Sequence, residues 1–175
     1  LNKKSLIITF CVIVIFFTSF LIFKTHDDFP YYHFAYSYYL TQNSVFIGIG
    51  PFNHGFRTPS SIFYMNSLFY LPFIKHYMFH ISAGMIMIFA NLILIEKIFN
   101  NIKYKQITFL TFFSLLSFLF INIFFYRLGE HGTDRSAQIL TLILLIEILF
   151  LTNFSKNIQN DINKIFVIIG LVISL

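Results

Sequence analysis

Apolar residues in this chain run in long blocks separated by short polar islands, and block length sets the first reading. Leu6–Phe23, His76–Ile95, Ile107–Tyr126 and Ala137–Thr152 each approach the ~20 residues that a helix needs to cross a bilayer. Ile165–Leu175 is shorter, and its helix would reach ~16 Å, about half the hydrocarbon core. The pattern predicts an all-α fold, a polytopic transmembrane helical bundle with spans over about 6–23, 76–95, 107–126, 137–152 and 165–175. Because the last block stops short, residues 1–175 read as a single N-terminal transmembrane module of a longer protein. A cleaved signal peptide is disfavoured at the start: the run is long for one, and Lys24-Thr25-His26-Asp27 offers no small-residue cleavage site.

Residues 24–75 do not fit the span pattern and form a long first outer loop with surface helices. Pro30–Gln42 holds Tyr31, Tyr32, Tyr36, Tyr38 and Tyr39. Tyrosine prefers the headgroup zone, so this segment is predicted to be a helix along the interface. Asp28 is placed to cap it, and Pro30 suits its first turn. Ile47–Pro59 has loop chemistry in Gly48, Gly50, Pro51, Asn53, Gly55 and Pro59. Ser60–Phe73 is apolar but short, and Asn66 and Pro72 interrupt it, so it is predicted to enter the outer leaflet without crossing. The lysines support this choice. With no crossing at 60–73, Lys97, Lys103 and Lys105 fall on the cytoplasmic side with Lys3, Lys4, Lys156 and Lys164, as the positive-inside rule requires. The N-terminus is then cytoplasmic.

Composition strengthens the membrane reading. The chain is 57% hydrophobic and only 11% charged, about half the soluble norm. A bias toward Phe, Ile, Lys, Asn and Tyr with no Trp also fits an AT-rich genome, so the 26 Phe carry no separate meaning. The formal net charge of +5 sits on loop lysines, and no nucleic-acid partner is expected. A single cysteine, Cys11, in an apolar run excludes an internal disulfide and a thiolate metal site.

Four of the seven acidic residues lie in two islands, His26-Asp27-Asp28 and Glu130-His131-Gly132-Thr133-Asp134-Arg135. In the topology above both islands are outside, as are Arg57, Arg127 and Arg135. Acids at a membrane boundary are costly unless used. Of Asp27 and Asp28, one can face a site while the other caps the Tyr-rich helix; the plain alternative is a solvated pair. Glu130, His131 and Asp134 could ligate a divalent cation together with Asp27 or Asp28, with oxygen donors suiting Mg²⁺ or Mn²⁺ and the added His admitting Zn²⁺. The alternative is a polar turn in which Glu130 pairs with an arginine. Asn53-His54-Gly55-Phe56-Arg57 has the look of an anion-binding turn, with Gly55 allowing close approach and Arg57 able to grip phosphate. An ordinary glycine turn with Arg57 at lipid headgroups is equally open. His76 and His80 share a helix face, a spacing commoner at interfaces than in metal sites. Glu147 lies in a span near its cytoplasmic end and is expected to snorkel.

A span, an outer loop opening with Asp27-Asp28, interfacial helices and a second acidic outer loop together resemble the GT-C class of membrane glycosyltransferases. Protein O-mannosyltransferases, aminoarabinose transferases and oligosaccharyltransferase catalytic subunits share that plan. The string Asp28-Phe29-Pro30-Tyr31-Tyr32-His33, preceded by Asp27, is also similar to that of bacterial membrane proteins of this type. The resemblance covers nearly the whole chain, through short motifs. It implies a polyprenyl-phosphate-linked sugar donor, an acceptor at the outer face of a bacterial inner membrane, and Asp28 or Asp27 as general base. His33, His54, Arg57 and Arg135 are the expected substrate contacts. Glu130, His131 and Asp134 are the expected metal ligands for Mg²⁺ or Mn²⁺. A transporter or flippase of lipid-linked sugars or another anion is the alternative. Such a protein would place its charges nearer the bilayer midplane.

Overall fold

The computed structural model describes residues 3–20, 28–44, 48–57, 60–103, 108–124, 133–154 and 158–174. Among them all regular structure is helical, apart from one isolated β-bridge between Leu71 and Lys75. The long helices are α1 (Lys3–Phe20), α4 (Ile81–Lys103), α5 (Phe109–Phe124), α6 (Thr133–Phe154) and α7 (Ile158–Ser174). Between α1 and α4 lie a π-turn (Phe29–His33), which leads into α2 (Phe34–Gln42), a 3₁₀ turn (His54–Phe56), α3 (Ser61–Leu68) and a second 3₁₀ turn (His76–Met78).

Three of the long helices bury a stripe at alternating spacings of three and four. The stripes are Ala83, Met87, Ala90 and Leu94 on α4, Leu110, Ser114, Ser117 and Ile121 on α5, and Ser136, Ile139, Ile143 and Ile146 on α6. That period keeps one seam facing its neighbours, and most of these residues form one apolar core with Phe113, Phe118, Leu142 and Leu149 packed around it. The outward faces are as apolar as the seam. On α5, Phe109, Phe112, Leu116, Ile123 and Phe124 are more than half exposed, while Thr111, Ser114 and Ser117 are buried. Small and hydroxyl residues inside with large apolar ones outside is the reverse of a water-facing helix, and it lets backbones approach closely. Two stretches, His76–Lys103 and Asp134–Thr152, are long and apolar enough to cross a membrane, and α5 is a shorter apolar helix.

Polar contacts fix the helix directions. The Asn122 amide on α5 donates to Asn91 Oδ1 on α4 at 2.6 Å, and Asn101 of α4 donates to Thr111 Oγ1 near the start of α5 at 3.0 Å. These two contacts make α4 and α5 antiparallel. Lys97, toward the C-terminal end of α4, pairs with Glu147, toward the C-terminal end of α6, at 3.0 Å, so those two ends lie side by side. The Ser61 hydroxyl at the start of α3 meets the Ser174 hydroxyl at the end of α7 at 3.1 Å. One end of the bundle therefore collects residues 28–80, the end of α5, the start of α6 and the end of α7. The other end holds the α4 C-terminus, the α5 N-terminus and the α6 C-terminus.

The helix bounds differ from the apolar blocks where tertiary contacts intervene. The 60–73 segment is helical only to Leu68, about 12 Å of helix, and an element that short cannot cross ~30 Å of hydrocarbon. Asn66, fully buried, lies in α3 rather than breaking it: the acceptors around its amide assign the nitrogen to the side where it donates to Phe79 O at 2.7 Å and Ser82 Oγ at 2.9 Å. It thereby ties α3 to the start of α4. Pro72 falls in the tight turn beyond, closed by Lys75 N–H to Leu71 O. The helix expected over 76–95 starts at Ile81 and continues to Lys103. The helix expected from 165 starts at Ile158, where Asp161 is buried and paired with Lys164 at 3.3 Å.

Candidate functional site at one end of the bundle

The chain before α4 folds back on itself at the collecting end. In the π-turn, the Phe34 N–H reaches Phe29 O, and Pro30, which has no N–H to donate, occupies the first turn. Asp28 stands at the N-cap position but in helical conformation, and its side chain makes no cap hydrogen bond. The cap anticipated for the Tyr-rich helix is thus not formed by Asp28. Beyond it, Tyr36 packs with Ile62, Phe63 and Ala83 in a second core cluster that joins α2, α3 and the start of α4. The Tyr36 phenol is pushed up to about 12, by burial first, then by a hydrogen bond shared with Tyr64 and the charges of Tyr64 and Tyr39.

The 53–57 segment docks onto the π-turn. Asn53 Nδ2 donates to the Tyr31 carbonyl at 2.9 Å, and Asn53 Oδ1 accepts from the Gly55 N–H at 2.9 Å. Gly55 is buried against the Tyr32 ring, where a Cβ would lie 2.1 Å from Tyr32 Cγ. Here glycine serves close approach rather than an unusual backbone angle. His54 is exposed, and its carbonyl accepts from the Arg57 N–H at 3.1 Å. Arg57 is also exposed, with Nε 3.4 Å from Gly50 O, so part of the guanidinium closes its own loop.

His33 is buried, with its ring edge-on to Tyr32 at 4.2 Å and tilted against Phe63 at 5.6 Å. It is therefore a member of the aromatic packing beneath the surface. Asp134 is exposed in the first turn of α6, where its charge complements the helix N-terminus, and Arg135 beside it is half-buried. Asp27, Glu130 and His131 lie outside the described residues. Among the described residues no three His, Cys, Asp or Glu side chains come together as a metal site.

Tyr32 feels the charge of both islands. Its phenol is raised above the ordinary tyrosine value by burial first, then by the negative charge of Asp28 and that of Asp134. Both carboxylates are thus near enough for their fields to act on one hydroxyl. The structure brings together Tyr31, Tyr32, His33 and the Asn53–Gly55 turn, with Asp28 beginning the same π-turn and Asp134 in the first turn of α6 at the same end of the bundle.

Sequence reasoning missed the part played by Tyr32 and Asn53, and missed two contacts deeper in the bundle. Glu147 does not snorkel: it is buried and paired with Lys97, whose ammonium also lies 4.0 Å from the Phe150 ring centroid. The Asn91–Asn122 contact sits within the apolar core. For these two deeper contacts the available signal was the same, a polar residue inside an apolar block. Compared with models of known protein families, with curated proteins and with solved structures, the chain matches none.

Proposed function

We propose that this chain is a multi-pass membrane protein with its N-terminus in the cytoplasm. In this reading the collecting end of the bundle faces outward from a bacterial inner membrane and transfers a sugar from a polyprenyl-phosphate donor to an acceptor. The observation that supports the reading most is that Asp28, at the start of the π-turn, and Asp134, in the first turn of α6, come from islands more than a hundred residues apart and lie at the same end of the bundle. The apolar outer faces of α5 and α6 fit a lipid environment. A carboxylate of the first island, Asp28 or Asp27, takes the proton of the acceptor oxygen as it attacks the anomeric carbon and the phosphate leaves. Charge developing on the leaving phosphate is stabilised by Arg57 or Arg135, or by a Mg²⁺ or Mn²⁺ ion held by Asp134 with Glu130 and His131.

The experiment is transfer of a labelled hexose from undecaprenyl phosphate hexose in membranes carrying the protein. Asp28→Asn should leave insertion intact and lower transfer roughly 10²–10⁴-fold. Asp27→Asn is the companion variant. Parental rates in both single variants and in the double variant would end the transferase reading.

One observation favours the alternative of a transporter or flippase. The Lys97–Glu147 pair places charge inside the bundle, and ionisable groups held there mark ion or substrate pathways, although this pair lies toward the C-terminal ends of α4 and α6 rather than at their middle. Asp28→Asn would then leave lipid translocation in vesicles unchanged, and Glu147→Gln would abolish it.

A further inference from the structure

The turn between α3 and α4 is pinned from behind and apolar in front. Asn66 ties α3 to the Phe79 carbonyl and Ser82, and the Lys75 N–H closes the turn on the Leu71 carbonyl. Behind it, the Phe34 ring meets His76 at 4.9 Å and Phe79 at 6.3 Å, and Tyr38 meets Tyr70 at 6.0 Å. In front, Phe73 is 98% exposed and Leu68 79%, with Leu71, Ile74 and Tyr77 exposed beside them. Large apolar side chains gathered outward on a pinned turn mark an interaction surface.

The place of this turn along the bundle and its charge say what covers it. Ile62 and Phe63, early in α3, pack with Ala83, whereas Asn66, one turn later, reaches back to Phe79. α3 therefore runs against α4, and residues 68–77 lie beyond the α4 start. α4 has 23 residues, about 34 Å of helix, close to the ~30 Å of hydrocarbon in a bilayer. Its polar end, with Asn100, Asn101 and Lys103, sets one boundary, so its start at Ile81 meets the other and the turn falls among the headgroups. Charge there has one sign: residues 29–95 contain no Asp or Glu, and their Lys and Arg are Lys75 and Arg57. Aromatic and aliphatic side chains around a lysine suit acyl chains topped by anionic headgroups. We propose that the 68–77 turn is a membrane foot: Phe73 and its apolar neighbours enter the headgroup zone of the leaflet, and Lys75 holds an anionic phospholipid headgroup there. This rests on the bundle crossing a membrane and not on sugar transfer.

The chain has no Trp, so Phe73→Trp gives a single fluorescent reporter on the turn. Leu116→Trp gives one on the exposed face of α5, near its middle. Each variant is placed in nanodiscs of phosphatidylcholine and phosphatidylglycerol. The lipid composition is fixed, and bromines, which quench Trp on contact, are carried by one lipid or the other. Phe73→Trp should be quenched best by bromines close to the headgroup, and Leu116→Trp by bromines deep in the acyl chains. At position 73 the quenching should report phosphatidylglycerol enriched about fivefold over phosphatidylcholine, the worth of one lysine at an anionic surface. Adding Lys75→Gln should abolish that enrichment, and Lys75→Arg should keep it. Equal quenching by the two lipids, or an enrichment that survives Lys75→Gln, would overturn the proposal. So would Phe73→Trp fluorescence quenched by aqueous acrylamide and not by bromolipid, a turn in water, or by neither, a turn covered by protein. In each of those cases quenching of Leu116→Trp by bromolipid keeps the membrane-spanning reading, and its absence ends that reading too.

Discussion

Lys97 of α4 and Glu147 of α6 form a 3.0 Å ion pair with side chains only 12% and 10% exposed, and the ammonium also faces the Phe150 ring. Neither charge has bulk water to fall back on. Removing one partner of such a pair leaves the other buried and uncompensated, at a cost of about 3–5 kcal/mol. Lys97→Met and Glu147→Leu should each destabilise the bundle by that order. The double variant should recover most of the loss, because an apolar pair carries no desolvation penalty. Thermal unfolding in detergent micelles reads this directly. Lys164, paired with Asp161 but 56% exposed, is the control: Lys164→Met should change stability by less than about 1 kcal/mol.

Two glycines should respond oppositely to the same substitution. At Gly55 an added Cβ falls 2.1 Å from Tyr32 Cγ, so ring or turn must move, and Gly55→Ala should destabilise by about 1–3 kcal/mol. At Gly170, inside α7, an added Cβ meets nothing within 4 Å. Gly170→Ala should stabilise by up to about 1 kcal/mol through helix propensity. Lys75 adds a third case, with φ +54° in the turn after α3. Lys75→Gly should relieve backbone strain and raise the melting temperature.

Tyr36 gives a pH prediction. Its phenol, pushed up to about 12 in the folded chain, titrates near 10 once unfolded. The folded state therefore holds this proton longer than the unfolded state. The stability this confers is complete below pH 10 and is lost as pH rises to about 12. Unfolding midpoints followed by circular dichroism between pH 9 and 12 should fall more steeply in the parental protein than in Tyr36→Phe. Equal slopes would mean that Tyr36 is not the residue responsible.

The helical blocks were legible because apolar runs of sufficient length dominate the chain. Their ends were not. The last turns of α4 carry Lys97, and the first half of α7 carries Asp161 and Lys164. A linear pattern shows these as polar interruptions, whereas the fold accommodates them by pairing charges, across helices for Lys97 and along the helix for Asp161. The same limit applies at the candidate site. Asp28, Asp134 and the 53–57 turn stood out as polar residues beside apolar blocks. Tyr32 is one of five tyrosines in a short segment, and only the seat made by Gly55, from a turn more than twenty residues away, sets it apart.

The helix directions make a last prediction about the membrane. Phe52, in the loop that docks on the π-turn, is 85% exposed at the collecting end, and Asn100 is exposed near the end of α4, on the opposite side of the bundle. If α4 crosses the bilayer, the two positions face different compartments. Cys11 is exposed on α1 and would confuse labelling, so the background is Cys11→Ser. Phe52→Cys should then react with a membrane-impermeant maleimide in intact cells. Asn100→Cys should react only after permeabilisation. The reverse pattern would keep the bundle but invert it, placing Asp28 and Asp134 in the cytoplasm, where an outward-facing transferase has no substrate. Labelling of both positions in intact cells would mean that α4 does not cross, and the apolar outer faces of α5 and α6 would then have to be covered by protein instead of lipid.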